Sequence, residues 1–413
     1  MAKRKLGLAM VGIGVGGTEM LPAMEEMEEL DLVAGADLNE ETVAKFAQRY
    51  NATGYTSYEE MLKDDRVEAV WVSTPNRFHA QHSIMAMNAG KHVVVEKPMA
   101  LNLDDAKRMV EAAHKNNVVF VAGHTRSFNP AIRMMWRILQ SGRIGKVRAI
   151  NAFAYTDWML RPRTAEELDM AQGGGLPTRQ LPHQVDTVRL LGGGKVRSVR
   201  GITGQWMPER PIPGYYSALL EFEDGTSSII CHNGYGYSMG AELVQWGHDR
   251  QRYTAAERVE VRRQMREGVR KEEDDKQALR IGGLQEREVF KAENRELWVP
   301  EDLGLLIVSG ERGDMRHGPE GVLVYDDTGK EEVPLNLDRA MGPGWRRAEL
   351  EELYDAVVDG KPVFHTGEWG VATLEVVLAV SESAKAHKEL IMQNQVPVHA
   401  RYGEARTFSG SAV

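Results

Sequence analysis

Apolar and polar positions alternate in two different ways along this chain. Up to about residue 125, short apolar runs are each followed by a longer stretch with apolar residues at helical spacing. The predicted strands are Leu6–Val11, Leu32–Ala36, Val67–Ser73, His92–Val95 and Val118–Ala122, and the predicted helices are Thr18–Leu30, Glu40–Tyr50, His79–Ala89 and Asp104–Asn116. Strands that alternate with helices predict βαβ units and a parallel sheet covered on both faces.

Beyond about residue 145, strand-like runs follow one another without helices between them. They are Lys146–Tyr155, Val196–Gln205, Tyr216–Phe222, Thr226–Asn233, Ala241–Trp246, Leu303–Val308 and Gly321–Tyr325. This pattern predicts a large, mostly antiparallel open sheet. The helical stretches Arg346–Val358 and Glu368–Leu390 are expected to pack on that sheet or back on the first domain. We therefore predict an α/β protein with an N-terminal domain at 1–125 and an α+β domain at 126–413.

A charged segment interrupts the second half. Residues 249–275 contain eight basic and eight acidic side chains with few apolar ones. Such a composition is typical of a solvated helix or a flexible excursion. We interpret the region of about 249–300 as an insertion that decorates the surface.

Composition limits the possible functions. The 413 residues include 42% hydrophobic and 27% charged residues, which is ordinary for a globular protein. A net charge of −9 argues against nucleic-acid binding. The single cysteine, Cys231, excludes an intrachain disulfide and a cysteine-rich zinc site. The sequence has neither a secretory signal nor an apolar run of about 18 residues, so a cytoplasmic protein with no membrane contact is expected.

A glycine motif follows the first predicted strand. Gly12, Ile13, Gly14 and Gly17 fit the pattern G-x-G-x-x-G between a strand and an amphipathic helix. In a Rossmann domain these glycines allow a tight turn, close approach of a pyrophosphate and close helix packing. Asp37 ends the second strand, where a carboxylate binds both adenine-ribose hydroxyls and repels a 2′-phosphate. The predicted cofactor is NAD rather than NADP.

Three further motifs carry a family resemblance. They are Ser73-Thr74-Pro75-Asn76 with His79, Ala89-Gly90-Lys91-His92-Val93-Val94-Val95-Glu96-Lys97-Pro98, and Gly123-His124-Thr125-Arg126-Ser127-Phe128-Asn129-Pro130. Together with the glycines they resemble the Gfo/Idh/MocA oxidoreductases. The resemblance implies cofactor contacts from Thr74, Pro75, Asn76, His79, Glu96 and Lys97. It also implies that Lys97 is the catalytic lysine and that Pro98 often follows a cis peptide bond.

The motif of the second domain runs from Gly173 to Asp186. It resembles the family segment that supplies a catalytic histidine, and His183 occupies that position. A histidine titrates near neutral pH, which suits a general base. Asp186 either orients this ring or pairs with a basic neighbour. The sequence departs from the family where Arg179 replaces an aspartate and Leu181 replaces a glycine.

Arg179 changes the expected substrate. The family's sugar and inositol dehydrogenases use the missing aspartate beside the reacting hydroxyls, whereas a guanidinium suits a carboxylate. Arg161 and Arg163 lie nearby in sequence and add positive charge. The expected substrate is therefore a small anionic diol. Its predicted contacts are Arg179, Asp186, Arg126 and Trp158.

These observations leave three functional hypotheses. The first is an NAD-dependent dehydrogenase that oxidises a carboxylated cis-dihydrodiol to a catechol, as in the branch that contains phthalate 4,5-cis-dihydrodiol dehydrogenase. The second is a sugar, inositol or sugar-acid dehydrogenase of the same family, and the third is a non-catalytic nucleotide-binding sensor. No metal is expected, since the His79/His82 pair lacks a third ligand nearby. A homodimer or homotetramer formed through the C-terminal sheet is expected.

Overall fold

Six parallel strands form the first sheet. In the computed structural model, residues 4–123, 126–244, 255–278, 281, 303–335 and 344–405 are described. The strands are β1 (Leu6–Val11), β2 (Leu30–Ala36), β3 (Thr53–Tyr55), β4 (Ala69–Val72), β5 (His92–Val95) and β6 (Phe120–Ala122). Their order is β3-β2-β1-β4-β5-β6, and every neighbouring pair is parallel. This is the strand order of a dinucleotide-binding Rossmann sheet, so the predicted fold of this half is confirmed.

Helices connect these strands. They are α1 (Val15–Thr18), α2 (Leu21–Glu26), α3 (Glu40–Tyr50), α4 (Tyr58–Leu62), α5 (His79–Asn88) and α6 (Leu103–Asn116). The single helix predicted over Thr18–Leu30 is wrong, because α1 and α2 are separate. Pro22 stands in the first turn of α2 and has no N–H to continue a helix from α1. Leu30 already belongs to β2.

The second sheet contains nine strands. They are β7 (Val147–Tyr155), β8 (Val196–Gly204), β9 (Tyr215–Phe222), β10 (Ser227–Asn233), β11 (Leu305–Gly310), β12 (Gly313–His317), β13 (Gly321–Asp326), β14 (Gly329–Pro334) and β15 (Leu390–Ile391). Their order is β14-β13-β12-β11-β7-β10-β9-β8-β15. Among the described strands of this sheet only the β7–β10 pair is parallel, so the predicted, mostly antiparallel sheet is confirmed.

Helices of the second half lie at 130–140, 176–191, 255–266, 272–277, 344–358 and 367–386. They are α7 (Pro130–Gln140), α8 (Leu176–Leu191), α9 (Ala255–Arg266), α10 (Glu272–Gln277), α11 (Gly344–Val358) and α12 (Gly367–Ala386). The strand predicted at Ala241–Trp246 is wrong. Gly240–Leu243 forms one 3-10 turn closed by the Glu242 side chain, which accepts from the Met239 N–H, and Trp246 lies outside the described residues.

The last two helices join the two halves of the molecule. α12 packs on β8 and α8 of the second half and on α6 and β6 of the first. Its Val371 and Leu374 belong to the same apolar cluster as Phe120. α11 packs on α2, and Leu353 shares a cluster with Trp71 of β4. The C-terminal helices therefore complete the core around the first sheet.

One face of the second sheet stays partly open. Leu219 of β9 and Ile229 of β10 stand directly opposite each other and are about half exposed. Oligomerisation through this sheet stays a prediction. Within the described ranges, each helix is too short or too polar to cross a lipid bilayer.

Glu349 of α11 is a buried acid beside the edge of the first sheet. Its Oε1 lies 2.6 Å from the point that a Cβ on Gly123 would occupy, next to the backbone of Val95. Both carboxyl oxygens are buried, and neither has a hydrogen-bond partner among the residues described. Burial and the nearby negative charges of Glu96 and Glu352 raise the pKa of Glu349 well above its ordinary value.

The acid at position 349 should therefore make stability depend on pH. A carboxyl whose folded-state pKa is raised contributes fully below its ordinary pKa, and this contribution is lost as the pH rises through the raised value. We expect Glu349→Gln to gain stability relative to the unmutated protein as the pH rises from about 5 to 8. A tenfold difference between the acid dissociation constants of the folded and unfolded states corresponds to about 1.4 kcal/mol.

Urea unfolding across this pH range measures the difference between the two proteins. The exposed Glu382→Gln variant is the control, because its carboxylate stays in water in both states. If the change in the free energy of unfolding were the same for both variants and independent of pH, the raised pKa of Glu349 would be contradicted.

Candidate active site

The glycine turn after β1 provides open space at the carboxyl ends of the strands of the first sheet. Gly12 has φ +87°, and a Cβ there would lie 2.7 Å from the backbone of Ser73 and Thr74. A Cβ on Gly17 would lie 2.5 Å from the carbonyl oxygen of Gly12. In contrast, a Cβ on Gly14 would meet no atom within 4 Å. Two glycines thus permit close backbone packing, while the third faces the space that a pyrophosphate needs.

The Asp37 carboxylate is fixed beside this turn. Its Oδ2 accepts a hydrogen bond of 2.9 Å from the Ile13 N–H, and its Oδ1 accepts one of 3.0 Å from the Asn39 N–H. Asp37 directly follows β2 and is partly exposed. An oriented carboxylate at this strand end, next to an open glycine turn, fits a dinucleotide with a free ribose diol.

His79 joins two loops at the strand ends. Its Nδ1 lies 2.8 Å from the carbonyl oxygen of Pro98, and its Nε2 lies 2.7 Å from that of Thr74. The ring is buried and both of its nitrogens face backbone carbonyl oxygens. Its expected contact with the cofactor stays a prediction. Burial lowers the pKa of His79 to about 4, and the positive charges of Lys97 and Arg179 act in the same direction. Both cations therefore lie within electrostatic reach of this ring.

The loop that contains Thr74 also contacts the second half of the chain. The Thr74 hydroxyl pairs with Nδ1 of His82 at 3.0 Å. Pro75 precedes the 3-10 turn Asn76–Phe78, and the Asn76 amide donates to the Gly173 carbonyl at 3.2 Å. Direct cofactor contacts of Thr74, Pro75 and Asn76 stay predictions.

Lys97 is held against the start of α8. The Lys97–Pro98 peptide bond is cis, as the resemblance led us to expect. The Lys97 ammonium donates to the carbonyl oxygen of Arg179 at 3.2 Å. His183 lies one helical turn after Arg179 on the same face of α8 and is 5% exposed. Side chains four apart on a helix are about 5–6 Å apart at Cβ, so the structure brings Lys97 and His183 to one region.

Glu96 lies just past the end of β5. Burial raises the pKa of its carboxyl, and the charges of Lys97 and Arg346 oppose this rise. Its contact with the cofactor stays a prediction.

Asp186 has a structural partner on α12. Its side chain is fully buried, and its Oδ1 accepts a hydrogen bond of 2.5 Å from the indole N–H of Trp369 on α12. A contact between Asp186 and a substrate stays a prediction. The bond fastens α12 to the helix that carries His183.

Trp158 is likewise buried, and its contact with a substrate stays a prediction. Its side chain is 1% exposed, and the guanidinium carbon of Arg163 lies 3.7 Å from its ring centroid. The Arg163 Nη2 also donates to the Trp158 carbonyl at 2.8 Å. Trp158 thus supports a buried arginine through a cation–π contact.

The guanidinium of Arg179 is already partly paired. Its Nη1 lies 3.1 Å from Oε1 of Glu167, a carboxylate that Arg163 and Lys276 also contact at 3.4 and 3.0 Å. Burial alone would raise the pKa of Glu167, but the three cations lower it below its ordinary value. We call Arg163, Glu167, Arg179 and Lys276 the cationic cluster.

Sequence reasoning missed this cluster. Glu167 stands four residues after Arg163, a spacing that could have suggested an ion pair, but nothing local connects either residue to Lys276. Lys276 belongs to α10, inside the segment expected to decorate the surface. That interpretation is wrong for the described part of the segment. Glu272 of α10 also accepts from the Arg210 side chain at 2.7 Å and from the Arg163 N–H at 2.8 Å.

Two other expectations are less constrained. Arg126 is partly exposed, and its backbone carbonyl accepts from the Asn129 N–H at 3.0 Å, so its substrate contact stays a prediction. Its neighbours His124 and Thr125 lie outside the described residues. The described ranges contain no cluster of three or more His, Cys, Asp or Glu side chains that could hold a metal.

Comparison with known proteins agrees with this geometry. Residues 6–124 match the family model described as an oxidoreductase family with an NAD-binding Rossmann fold, and residues 132–241 match the model of the GFO/IDH/MocA C-terminal domain. Over 385 residues the chain is 31% identical to 1-carboxy-3-chloro-3,4-dihydroxycyclohexa-1,5-diene dehydrogenase of Comamonas testosteroni, covering 92% of this chain and 94% of that protein.

Two more relatives extend the comparison. The chain is 33% identical over 221 residues to 4-carboxy-2-hydroxymuconate-6-semialdehyde dehydrogenase of a Sphingobium species, covering 53% of this chain and 69% of that protein. A crystal structure from Bordetella bronchiseptica RB50, described only as an inferred dehydrogenase, superposes with a TM-score of 0.84 at 33% identity and covers 94% of this chain and all of its own. With its NAD-binding Rossmann domain and its second, mostly antiparallel domain, the chain belongs to the Gfo/Idh/MocA family of oxidoreductases.

Proposed function

We propose that this oxidoreductase is an NAD-dependent dehydrogenase that oxidises a carboxylated cis-dihydrodiol ring to the corresponding catechol. The observation that carries the proposal is the position of Arg179, which lies in the cationic cluster while its backbone binds Lys97. A reacting hydroxyl near Lys97 would then have a guanidinium close by for a ring carboxylate. The Comamonas relative, whose name describes a carboxylated dihydroxycyclohexadiene, supports this substrate class.

The proposed reaction divides the work between two side chains. Lys97 hydrogen-bonds the reacting hydroxyl, and His183 accepts its proton as general base. NAD, when bound, accepts the hydride that leaves the carbinol carbon. The resulting ring ketone loses a proton from carbon and gains one on oxygen, which gives the aromatic catechol. The gain of aromaticity makes the overall step favourable.

The cofactor is held by the groups around the glycine turn. Gly12, Gly14 and Gly17 leave room for the pyrophosphate, and Asp37 accepts from the adenine-ribose hydroxyls. These assignments of individual residues are part of the proposal.

A substrate panel tests the proposed function. We expect NADH formation from the cis-dihydrodiols of benzoate and phthalate, and much less from benzene cis-dihydrodiol or myo-inositol. Replacement of Arg179 by Lys keeps the charge beside Glu167 but removes the planar fork. It should weaken the apparent affinity for carboxylated diols by about 10- to 150-fold, equivalent to about 1.5–3 kcal/mol, and leave the uncharged diol unaffected.

The exposed Arg197→Lys variant is the matched control for this panel. Equal losses for charged and uncharged diols would make Arg179 a purely structural residue. Better turnover of uncharged polyols would favour the sugar or inositol dehydrogenase hypothesis. If the protein binds NAD but turns over no diol or sugar, the result would favour the hypothesis of a non-catalytic nucleotide-binding sensor over both dehydrogenase hypotheses.

The catalytic roles of Lys97 and His183 can be tested separately. We expect Lys97→Ala and His183→Ala each to lower kcat by about 10²–10⁴-fold, because general acid–base groups act mainly in the transition state. NAD affinity, measured by fluorescence titration, should change little. The exposed Lys107→Ala variant serves as the control. Near-normal turnover in either variant would remove that residue from the mechanism.

The choice of NAD over NADP depends on the charge at position 37. We expect NADP to bind far more weakly than NAD, and Asp37→Ala to narrow the gap. Asp37→Asn keeps an acceptor for the Ile13 N–H but removes the charge, so it should narrow the gap while the glycine turn stays ordered. Titration of both cofactors against the three proteins measures these affinities. Equal binding of NAD and NADP by the unmutated protein would refute the role of Asp37.

A further inference from the structure

The cationic cluster contains more positive than negative charge. The Glu167 carboxylate is shared by Arg163, Arg179 and Lys276, at distances of 3.4, 3.1 and 3.0 Å. All four side chains are mostly buried, with exposures of 8%, 8%, 23% and 14% for Glu167, Arg163, Arg179 and Lys276. One carboxylate cannot neutralise three cations, so the cluster has a surplus of two positive charges when Arg163, Arg179 and Lys276 are all protonated.

Charges around the cluster do not remove this surplus. The cations Arg161, Arg210 and Arg270 are matched by the carboxylates Asp157, Glu272 and Asp275. Glu166 also acts on Arg179, but its carboxylate is bound to the Arg77 guanidinium. Burying a cation without a counter-ion is costly. The surplus therefore indicates a place for an anion that the described residues do not supply.

Hydrogen-bond donors in the cluster point to the same conclusion. The Nε atoms of Arg163 and Arg179 are buried and have no acceptor among the described residues. A buried donor without an acceptor is unfavourable, so within the described residues the cluster lacks acceptors as well as negative charge. The Arg179 carbonyl meanwhile accepts from Lys97. The cluster is thus next to the proposed reaction centre.

The inserted segment is fastened at this place by several contacts. The Lys276 ammonium contacts both oxygens of Glu167, at 3.1 and 3.0 Å. Glu272 binds Arg210 at 2.7 Å, and the Arg270 guanidinium donates to the Leu160 carbonyl. These bonds hold α10 over the 158–167 loop.

We propose that Lys276, supplied by the inserted helix α10, is a specificity residue that completes a subsite for a second carboxylate of the substrate. The inference rests on the proposed function, because it places a dicarboxylate where that function needs only one carboxylate. Arg179 would bind the carboxylate nearer to Lys97. Lys276 and Arg163, both held by Glu167, would provide the charge that attracts the other.

Binding of unreactive analogues tests this inference without turnover. We compare phthalate, benzoate and benzyl alcohol by calorimetric titration of the NADH-loaded protein. Phthalate should bind at least about 10-fold more tightly than benzoate, the gain expected from one more charge-assisted contact. Lys276→Met should remove most of this advantage, whereas Lys276→Arg should keep it. Lys271→Met is the matched control, since Lys271 is an exposed lysine at the start of the same helix.

Proton uptake gives a second measurement that a purely structural lysine would not change. Burial lowers the pKa of Lys276 to about 8, so part of the population is neutral at pH 8. A dianion bound beside the amine favours its protonated form. Phthalate binding at pH 8 should therefore take up protons, seen as a dependence of the heat on buffer ionisation enthalpy, and Lys276→Met should reduce this uptake.

The outcomes separate the inference from the proposed function. Equal affinities of the unmutated protein for phthalate and benzoate would overturn the second-carboxylate subsite, even if monocarboxylated diols are good substrates. An unchanged phthalate preference in Lys276→Met would make Lys276 only a clamp for α10. A clear phthalate preference lost in Lys276→Met, with no turnover of any dihydrodiol, would leave the subsite standing and refute the proposed reaction. If Lys276→Met fails to fold, the subsite is tested on the unmutated protein and on Lys276→Arg. The measurements are then their preference for phthalate over benzoate and their proton uptake.

Discussion

The junction between the first sheet and the start of α8 is the constraint on which the candidate site depends. Two side chains from loops of the first sheet, Lys97 and Asn76, donate to backbone carbonyls of the segment that begins α8, at Arg179 and Gly173. Beneath them, His79 joins the two loops that carry these side chains. The expected cofactor face and the expected substrate face are therefore fixed to each other by side chain-to-backbone bonds. A shift of either loop would move Lys97 relative to His183.

Electrostatics on the substrate side follows from a few buried charges. Glu167 is the only carboxylate within the described cluster, and it is surrounded by cations from three parts of the chain. Such an arrangement differs from an isolated salt bridge, because removing the shared carboxylate would leave several buried charges without a partner. Stability and substrate recognition are consequently difficult to separate at Glu167, and easier to separate at Lys276, which is only one of the three cations around it.

Features that depend on local sequence could be predicted, whereas those that depend on distant partners could not. The apolar run Leu6–Val11 and the helix Glu40–Tyr50 match the structure residue for residue, because each is determined by its own pattern and by turn or capping residues. The charged segment shows the limit, since its composition resembles that of a solvent-exposed helix. Lys276 instead finds its partner Glu167 more than one hundred residues earlier in the chain. Charge patterning does not show which charges another part of the fold removes from water.

The position of α12 has a consequence for how the protein is made. The helix that covers β6 and α6 is synthesised more than two hundred residues after them, and Val371 and Leu374 fill a cluster that those earlier elements leave open. During synthesis on the ribosome, part of the apolar surface of the nucleotide-binding half therefore stays exposed to solvent until α12 has been made. The N-terminal residues alone therefore do not form the complete core of this domain. Its apolar core is completed late in biosynthesis. A chain that terminates before α12 would keep an exposed apolar surface, which is prone to aggregation and to binding by chaperones.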